Sequence, residues 1–147
     1  MGATDYLANS QSGIKTLLEN DTELGGYAAT PYSYCDELMR VKKNYPGISI
    51  EVHTVNDGEW NVCSPDKIVD IYIRIYTAYT TETSSNTANL NMAGRVIEIL
   101  ETESNWSTIT GCYRIDLEVD LEYETAISNQ GKISRASEIL ASVYLRT

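Results

Sequence analysis

The chain has 147 residues, which suits one ordinary domain with a single core and is short for two. Its hydrophobic fraction of 42% is typical of a folded globular protein rather than a disordered one. With 21 acidic and 11 basic residues, the net charge is -10. Such a chain repels phosphate, which disfavours DNA or RNA binding as its main activity. We expect a single domain that spans residues 1–147.

The cysteine spacing and the lack of long apolar runs disfavour a disulfide- or metal-stabilised protein and a membrane or exported protein. Cys35, Cys63 and Cys112 are odd in number and widely spaced, so neither a disulfide framework nor a metal site is predicted. No segment approaches the roughly 18 to 20 consecutive apolar residues of a membrane span. Met1–Asn20 also lacks the apolar run of a signal peptide. We expect reduced thiols in a protein that is made in the cytoplasm and has no contact with a membrane.

The N-terminal third is predicted to contain two helices. Thr4–Asn20 has apolar residues at helical spacing, and the region from Asp21 to Gly25-Gly26 is predicted to end this helix. Ser33 is predicted to cap a second, short helix that continues through Asn44.

Two strands are predicted to follow. Tyr45-Pro46-Gly47 ends the second helix and starts the strand Ile48–Thr54, in which apolar and polar residues alternate. Val55–Asp66 holds two turn signals and is predicted to be a loop. Lys67–Thr81 is the second strand. Its two predicted faces are Val69, Ile71, Ile73 and Ile75 on one side and Asp70, Tyr72, Arg74 and Tyr76 on the other.

The next stretch is predicted to be a loop, a helix and a second loop. Thr80–Asn89 is small and polar, which favours a loop, and a helix is predicted from Thr87 to Glu103 because its apolar residues recur at helical spacing. Asn105–Gly111 is predicted to be a loop that carries Trp106.

A long hairpin is predicted at the C-terminus. Tyr113–Glu124 and Ile133–Arg146 both alternate apolar and polar residues, and Asn129-Gln130-Gly131 between them is a turn signal. The element order predicts an α+β domain, with a four-stranded antiparallel sheet and helices packed on one face. One helical layer covers one face, so the other face is expected to stay wet or to meet other subunits.

The sequence shows little that indicates catalysis. His53 is the only histidine, and a lone histidine in a strand beside Glu51 is more typical of a surface residue than of an acid–base catalyst. There is no CxxC, no GxxxxGK[ST] and no GxGxxG motif. We therefore predict no enzymatic activity, no cofactor and no metal.

One charge pattern is unusual, a row of carboxylates in the first strand of the hairpin. Its members are Asp116, Glu118, Asp120, Glu122 and Glu124. Same-face residues of a strand lie roughly 6.5 to 7 Å apart, so the row does not converge on a calcium ion, whose ligands lie within about 2.6 Å. Two interpretations remain open. The row is a solvated face that prevents edge-to-edge aggregation, or, repeated around a ring, it is a wall that repels DNA.

Tyrosine is the dominant aromatic residue, with 11 Tyr, 2 Trp and no Phe. Its apolar ring and polar tip suit interfaces between proteins, and equally suit exposed sheet faces. We expect the carboxylates and tyrosines of the uncovered face to point outward and to contact other copies of the same chain.

The layout resembles that of the tail-terminator (tail-completion) proteins of long-tailed phages and related viruses. The resemblance covers nearly the whole chain and rests on the order of its elements. These are the N-terminal amphipathic helix, the Pro-led strand Tyr45–Val52, the apolar strand Asp70–Tyr76, the crossover helix Gly94–Leu100 and the closing hairpin.

The resemblance implies a structural virion protein that forms a homohexameric ring at the head-proximal end of the tail. The partners it implies are further copies of the chain, the tail tube protein and a head-completion or neck protein. Genomic DNA would pass through the ring without specific binding. The loops Val55–Asp66 and Thr80–Asn89 are candidates for contacts with neighbouring subunits or rings. The candidate residues for ring or tube contacts are Asp57, Trp60, Tyr72, Arg74, Tyr76 and Tyr79.

Two alternatives remain. The first is another head–tail joining protein, a neck or head-completion subunit, which sequence barely separates from a terminator. The second is a small-ligand-binding α+β domain, which usually holds a polar side chain inside an apolar cavity. The predicted inward positions are nearly all Ile, Val, Leu and Ala, which disfavours the second alternative.

Overall fold

A computed structural model describes residues 5–27, 32–35, 46–57, 66–127 and 131–146. It shows one β-sheet with helices on one side. The elements in chain order are α1 (Tyr6–Glu19), α2 (Thr22–Tyr27), β1 (Tyr32–Ser33), β2 (Gly47–Asp57), β3 (Lys67–Tyr79), α3 (Glu82–Glu101), a 3-10 helix (Glu103–Thr108), β4 (Cys112–Ile127) and β5 (Ile133–Leu145).

The sheet has five strands in the order β1-β2-β3-β5-β4. The pairs β2–β3, β3–β5 and β5–β4 are antiparallel, as predicted. The prediction of four strands was incomplete, because Tyr32 and Ser33 of β1 pair in parallel with Ile48 and Ser49 of β2. The α+β class is confirmed, and the sheet is mixed. A strand of two residues carries no alternation, which is why the sequence pattern does not reveal it.

The core lies between the sheet and the helices. Alternate side chains of β3 and β5 point into it, and branched side chains such as Val and Ile pack well on a pleated surface. Helices α1 and α3 cover these side chains. The fully buried apolar residues of the two central strands are Val69, Ile71, Ile73, Ile75, Ile139, Ala141, Val143 and Leu145, and those of the two helices are Ile14, Leu18, Met92, Ala93, Val96 and Leu100.

Helix α3 begins at Glu82, earlier than predicted, so most of the predicted loop Thr80–Asn89 is helical. Thr81 is the N-cap, and its Oγ1 accepts a hydrogen bond from the Ser84 N–H at 3.1 Å. Ser85 and Asn89 lie on the inner face of the helix and are buried. Polar residues at buried positions hide the apolar periodicity on which the prediction relied.

The region around Asp21 starts a helix, where the sequence predicted only an end. Asp21 Oδ2 accepts a hydrogen bond from the Leu24 N–H at 3.0 Å, and Gly25-Gly26 lie inside α2. Ser33 lies in β1 and is therefore not a helix cap. Residues 36–44 of the predicted second helix lie outside the described residues.

Two predicted loops also differ from the structure. Residues 55–57 of the first belong to β2, and residues 58–65 lie outside the described residues. Trp106 lies in the 3-10 helix, where its Nε1–H donates to the Leu100 carbonyl oxygen at 2.7 Å. This bond joins the C-terminal end of α3 to the segment that leads into β4.

Candidate functional site

The side of the sheet that faces away from the helices, which we call the open face, carries three of the six predicted contact residues, Tyr72, Arg74 and Tyr76. The strand register places its side chains in cross-strand rows. Its members on the three strands β3, β5 and β4 are Asp70, Tyr72, Arg74 and Tyr76, then Ala136, Glu138, Leu140, Ser142 and Tyr144, then Arg114, Asp116, Glu118 and Asp120.

Arg74 lies at the centre of the open face, among carboxylates and aromatic rings. Its Nε donates to Glu138 Oε2 at 3.0 Å, and its Nη1 lies 3.6 Å from Glu51 Oε2. Its guanidinium carbon lies 4.8 Å from the ring centre of Tyr72 and 5.3 Å from that of Tyr123. Only 15% of the side chain is exposed. Arg74 and Tyr72 thus form one preorganised cluster, whose charge is already paired inside the subunit.

Tyr76 does not belong to an accessible contact surface, contrary to the prediction. It is 3% exposed and packs with Ala136 and Tyr123 in a small second core on the open face. The cause is a bulge in β4, where the four-residue step from Asp120 to Glu124 matches a two-residue step on β5. The bulge brings Tyr123 onto the open face, whereas strict alternation placed it towards the helices.

The other predicted contact residues that the structure describes, Tyr79 and Asp57, lie at strand ends. Tyr79 is half-buried near the end of β3, opposite Ile133. Asp57 ends β2, and Trp60 lies outside the described residues. His53 is exposed, with its ring centre 4.7 Å from that of Tyr72. An exposed histidine on a sheet surface does not match the enclosed polar group of a small-ligand domain.

The predicted acidic row is interrupted by the same bulge. Asp116, Glu118 and Asp120 follow one another on the open face of β4, and Glu122 lies exposed within the bulge. Glu124 lies beyond the bulge and is half-buried, so the five carboxylates do not form one straight line.

The free charge of the row is concentrated in its middle. Asp116 is paired with Arg114, whose Nη2 lies 2.8 Å from Asp116 Oδ2. Glu118, Asp120 and Glu122 form no ion pair with a cation of the described residues. The described part of the chain therefore has an edge strand with three exposed, unbalanced negative charges.

A second cluster at the opposite end of β4 was missed by the sequence reasoning. Arg114 stacks on Tyr144 at 4.9 Å from its ring centre, Arg146 stacks on Tyr113 at 4.7 Å, and the two rings meet edge-on at 6.1 Å. We call these four residues the Tyr–Arg cluster. Tyr and Arg are enriched where protein interfaces gain most of their binding energy. A Tyr and an Arg stand close together both at the start and at the end of the hairpin sequence, and this repetition could have indicated the cluster.

Hydrogen bonding and burial raise the pKa of both tyrosines of this cluster. Tyr113 Oη donates to Asp66 Oδ2 at 2.8 Å, and this hydrogen bond raises the pKa of Tyr113. Burial is the main cause that raises the pKa of Tyr144. Both rings therefore stay neutral well above physiological pH and act as donors and apolar surfaces.

Asp70 links two further polar groups of the open face. Asp70 accepts the hydroxyl of Thr54 at 3.0 Å on Oδ2 and that of Ser142 at 2.7 Å on Oδ1. In the described part of the chain, no group of three or more His, Cys, Asp or Glu side chains is arranged to hold a metal ion. The geometry of the open face suits contact with another macromolecule through rings, guanidinium groups and carboxylates.

Among the described residues, the thiols form no disulfide and the helices include no membrane span. Cys35 and Cys112 are free, and Cys63 lies outside the described residues. Burial raises the pKa of Cys112 to about 11, which keeps this thiol protonated and unreactive. No helix among the described residues is long and apolar enough to span a membrane.

Comparison with known proteins gives a likeness of fold. No protein-family model matches the chain, and no curated protein matches it. The fold is similar to that of a chain in the virion of a native gene transfer agent (GTA) particle, with a TM-score of 0.56 and 10% sequence identity. The similarity covers 97% of this chain and 99% of that chain. The two chains therefore share an architecture from end to end.

Proposed function

We propose that the protein is a structural subunit of a phage-like virion. The observation that carries the proposal is the full-length likeness of fold to a chain of a GTA virion, which covers 97% of this chain and 99% of that one. Because nearly every element is shared, the likeness extends beyond a common supersecondary motif. The open face adds support, since its half-buried Tyr72 and Tyr144 and its exposed Arg114 suit contact with other proteins.

Within such a virion, we propose the role of a tail terminator. The subunits form a ring, which we expect to be a hexamer, on the last ring of the tail tube. The ring stops tube growth and joins the tube to a head-completion or neck protein. Its element order supports this role, because it resembles that of tail terminators from the N-terminal helix to the closing hairpin.

The chemistry that this role requires is contact chemistry. A terminator needs one surface that fits the tube end and an opposite surface that does not, while heterologous contacts between copies close the ring. Well-packed Tyr and Arg side chains supply affinity, and the placement of charge selects the partner. The Tyr–Arg cluster is our candidate for a subunit contact. Glu118, Asp120 and Glu122 are our candidates for a wall from which DNA is repelled.

Deleting the gene from the genome that produces the particle tests the role. We expect electron microscopy to show tail tubes of uncontrolled length, because nothing stops their growth. Tubes of normal length that are joined to heads would refute the terminator role. Tubes of normal length without heads, together with antibody labelling at the portal side, would indicate a neck or head-completion subunit instead.

Native mass spectrometry of the protein released from particles tests the ring. We expect a hexamer for the wild type and its loss in the double variant Arg114→Ser with Tyr144→Ser, which removes one half of the Tyr–Arg cluster. Tyr34→Ser is the control, because Tyr34 is exposed at the other end of the sheet next to β1. A double variant that still forms the wild-type ring would exclude the cluster as the contact.

A further inference from the structure

The free edge of β4 is an unusual surface for a protein that must not aggregate. β4 has 16 residues and is the last strand of the sheet, so among the described residues its outer edge pairs with no strand. Unpaired backbone groups along an edge form a template for another strand. Val119 and Leu121, each 38% exposed, add apolar surface to this edge. By length and by side chains, β4 is a favourable place for a second chain to add.

The same edge carries the features that oppose such addition. Glu118, Asp120 and Glu122 alternate with Val119 and Leu121 and have no ion pair in the described part of the chain. Asp120 Oδ1 also accepts the backbone N–H of Glu122 at 3.1 Å, at the start of the bulge that interrupts this strand. Charges and bulges on edge strands are known means of preventing edge-to-edge association.

The most direct partner for this edge is a second copy of the same edge. Two β4 strands that pair antiparallel about a two-fold axis would bury Val119 and Leu121 of both copies. Any such register centred between residues 118 and 122 brings carboxylates of the two copies opposite each other. Directly opposed side chains of paired strands lie about 4.5 to 5.5 Å apart at Cβ, and like charges at that distance are destabilising.

We infer that the free edge of β4 is a self-association surface that charge repulsion weakens, so that two copies pair through β4 more readily when Glu118, Asp120 and Glu122 are neutralised or screened. The inference stands apart from the proposed virion role, because it concerns the edge itself and holds for the purified chain. In a ring subunit, such an edge would remain unpaired and its carboxylates would remain exposed.

The test compares two neutralised variants of the full chain. The edge variant is Glu118→Gln with Asp120→Asn and Glu122→Gln, in which the amide of residue 120 keeps an oxygen for the bulge. The control variant is Glu82→Gln with Glu98→Gln and Glu101→Gln, which removes three exposed charges from α3 instead. Both variants change the net charge equally. Sedimentation velocity over a range of concentrations measures association, and circular dichroism confirms that both variants fold.

We expect the edge variant to associate at concentrations about tenfold lower than the wild type, since three opposed like-charge pairs are removed. High salt should move the wild type towards the edge variant and leave the edge variant unchanged. Hydrogen exchange should show new protection of β4 amides in the associated state.

Three outcomes would overturn the inference. Equal association of both variants would show a general effect of net charge. Association without protection of β4 would place the contact elsewhere. No association of the edge variant would show that β4 is not a pairing surface at all. None of these outcomes bears on the tail-terminator role, which depends on tube length and on the position of the protein in the particle.

Discussion

The two faces of the sheet are built on different rules. On the helix side, the side chains of β3 and β5 are apolar and fully buried, from Val69 to Ile75 and from Ile139 to Leu145. On the open face, the intervening residues are mostly charged, hydroxylic or aromatic, and they bond to one another across the strands. The helix side therefore determines that the chain folds, while the open face determines what the folded chain can touch.

Polar groups occur on both faces of the sheet, but they differ in burial and in what they bond. Beneath α3, Asn89 bonds to both central strands, and every partner is buried or half-buried. On the open face, Arg74 is shared between Glu51 and Glu138 at the surface of the sheet. A buried polar group is costly to leave unpaired, whereas a charged pair that keeps some access to water is worth less by itself. The comparison thus makes quantitative predictions about stability.

The largest effect is expected at the centre of the helix side. Ile73→Ala removes a fully buried side chain that lies between Ile50 and Ile139. We expect it to lower the free energy of unfolding by about 2 to 5 kcal/mol, from lost burial plus the cavity left behind. Urea denaturation measures the change. Leu140→Ala, on the open face of the neighbouring strand, is the control and should cost less than half as much. Equal losses would show that the two faces do not differ in packing.

A smaller loss is expected from the polar group beneath α3. Asn89 Nδ2 donates to the carbonyl oxygens of Ile75 and Arg135, each at 3.0 Å, and its Oδ1 accepts the hydroxyl of Ser137. Asn89→Ala removes these hydrogen bonds from buried and half-buried groups, and we expect a loss of about 1 to 3 kcal/mol. Asn91→Ala, two residues further along the exposed side of the helix, should be close to neutral in the same measurement. A neutral Asn89→Ala would mean that water replaces the amide.

Most of the fold could be predicted, because alternation of apolar and polar residues marks strands wherever one face is buried. Strands β3 and β5 were predicted to within about two residues, a normal uncertainty for strand ends. The start of α3 was missed, because its first two turns present Ser85 and Asn89 to the sheet instead of apolar residues. Thr81 followed by Glu82 was a usable signal for a helix N-terminus.

The open face was less predictable, because its arrangement depends on contacts between distant strands. Alternation alone placed Tyr123 towards the helices and Tyr76 at the surface. The bulge in β4 instead brings Tyr123 onto the open face, where it packs on Tyr76 and buries it. A bulge leaves no mark in a strictly alternating sequence such as that of β4. The stacking of Arg146 on Tyr113 likewise requires the register of β4 on β5, which the sequence does not supply.

The ion pair between Asp21 and Arg95, on the helix side of the sheet, should make the stability of the protein depend on pH in the acid range. Arg95 Nη2 lies 2.6 Å from Asp21 Oδ1, and its hydrogen bonds are the main cause that lowers the pKa of Asp21. Because the pKa is lower in the folded state, this stabilisation is complete above the ordinary Asp value of about 3.9 and is lost as the pH falls through the folded value. Asp21→Asn should therefore be less stable than the wild type at neutral pH and converge with it in acid.

Urea denaturation at steps between about pH 7 and about pH 3 measures this convergence. Glu23→Gln is the control, because Glu23 also meets Arg95, at 2.9 Å, but is largely exposed. We expect a smaller gap between this variant and the wild type at neutral pH, since exposed pairs are screened by solvent. A gap of equal size for both variants would show that burial of Asp21 does not strengthen its pair with Arg95.

The smallest effect is expected at the edge of the open face. Glu118→Gln removes one of several neighbouring negative charges from an exposed position that makes no ion pair in the described part of the chain. We expect the free energy of unfolding to stay within about 0.5 kcal/mol of the wild type. Any change should be a gain that disappears at high salt, because repulsion from Asp116 and Asp120 is relieved. A clear loss of stability would mean that Glu118 stabilises the fold. The edge of β4 would then contribute to stability as the helix side does. A gain that salt removes would instead show that the row of carboxylates lowers stability slightly, which is expected of a surface maintained for its effect on other molecules.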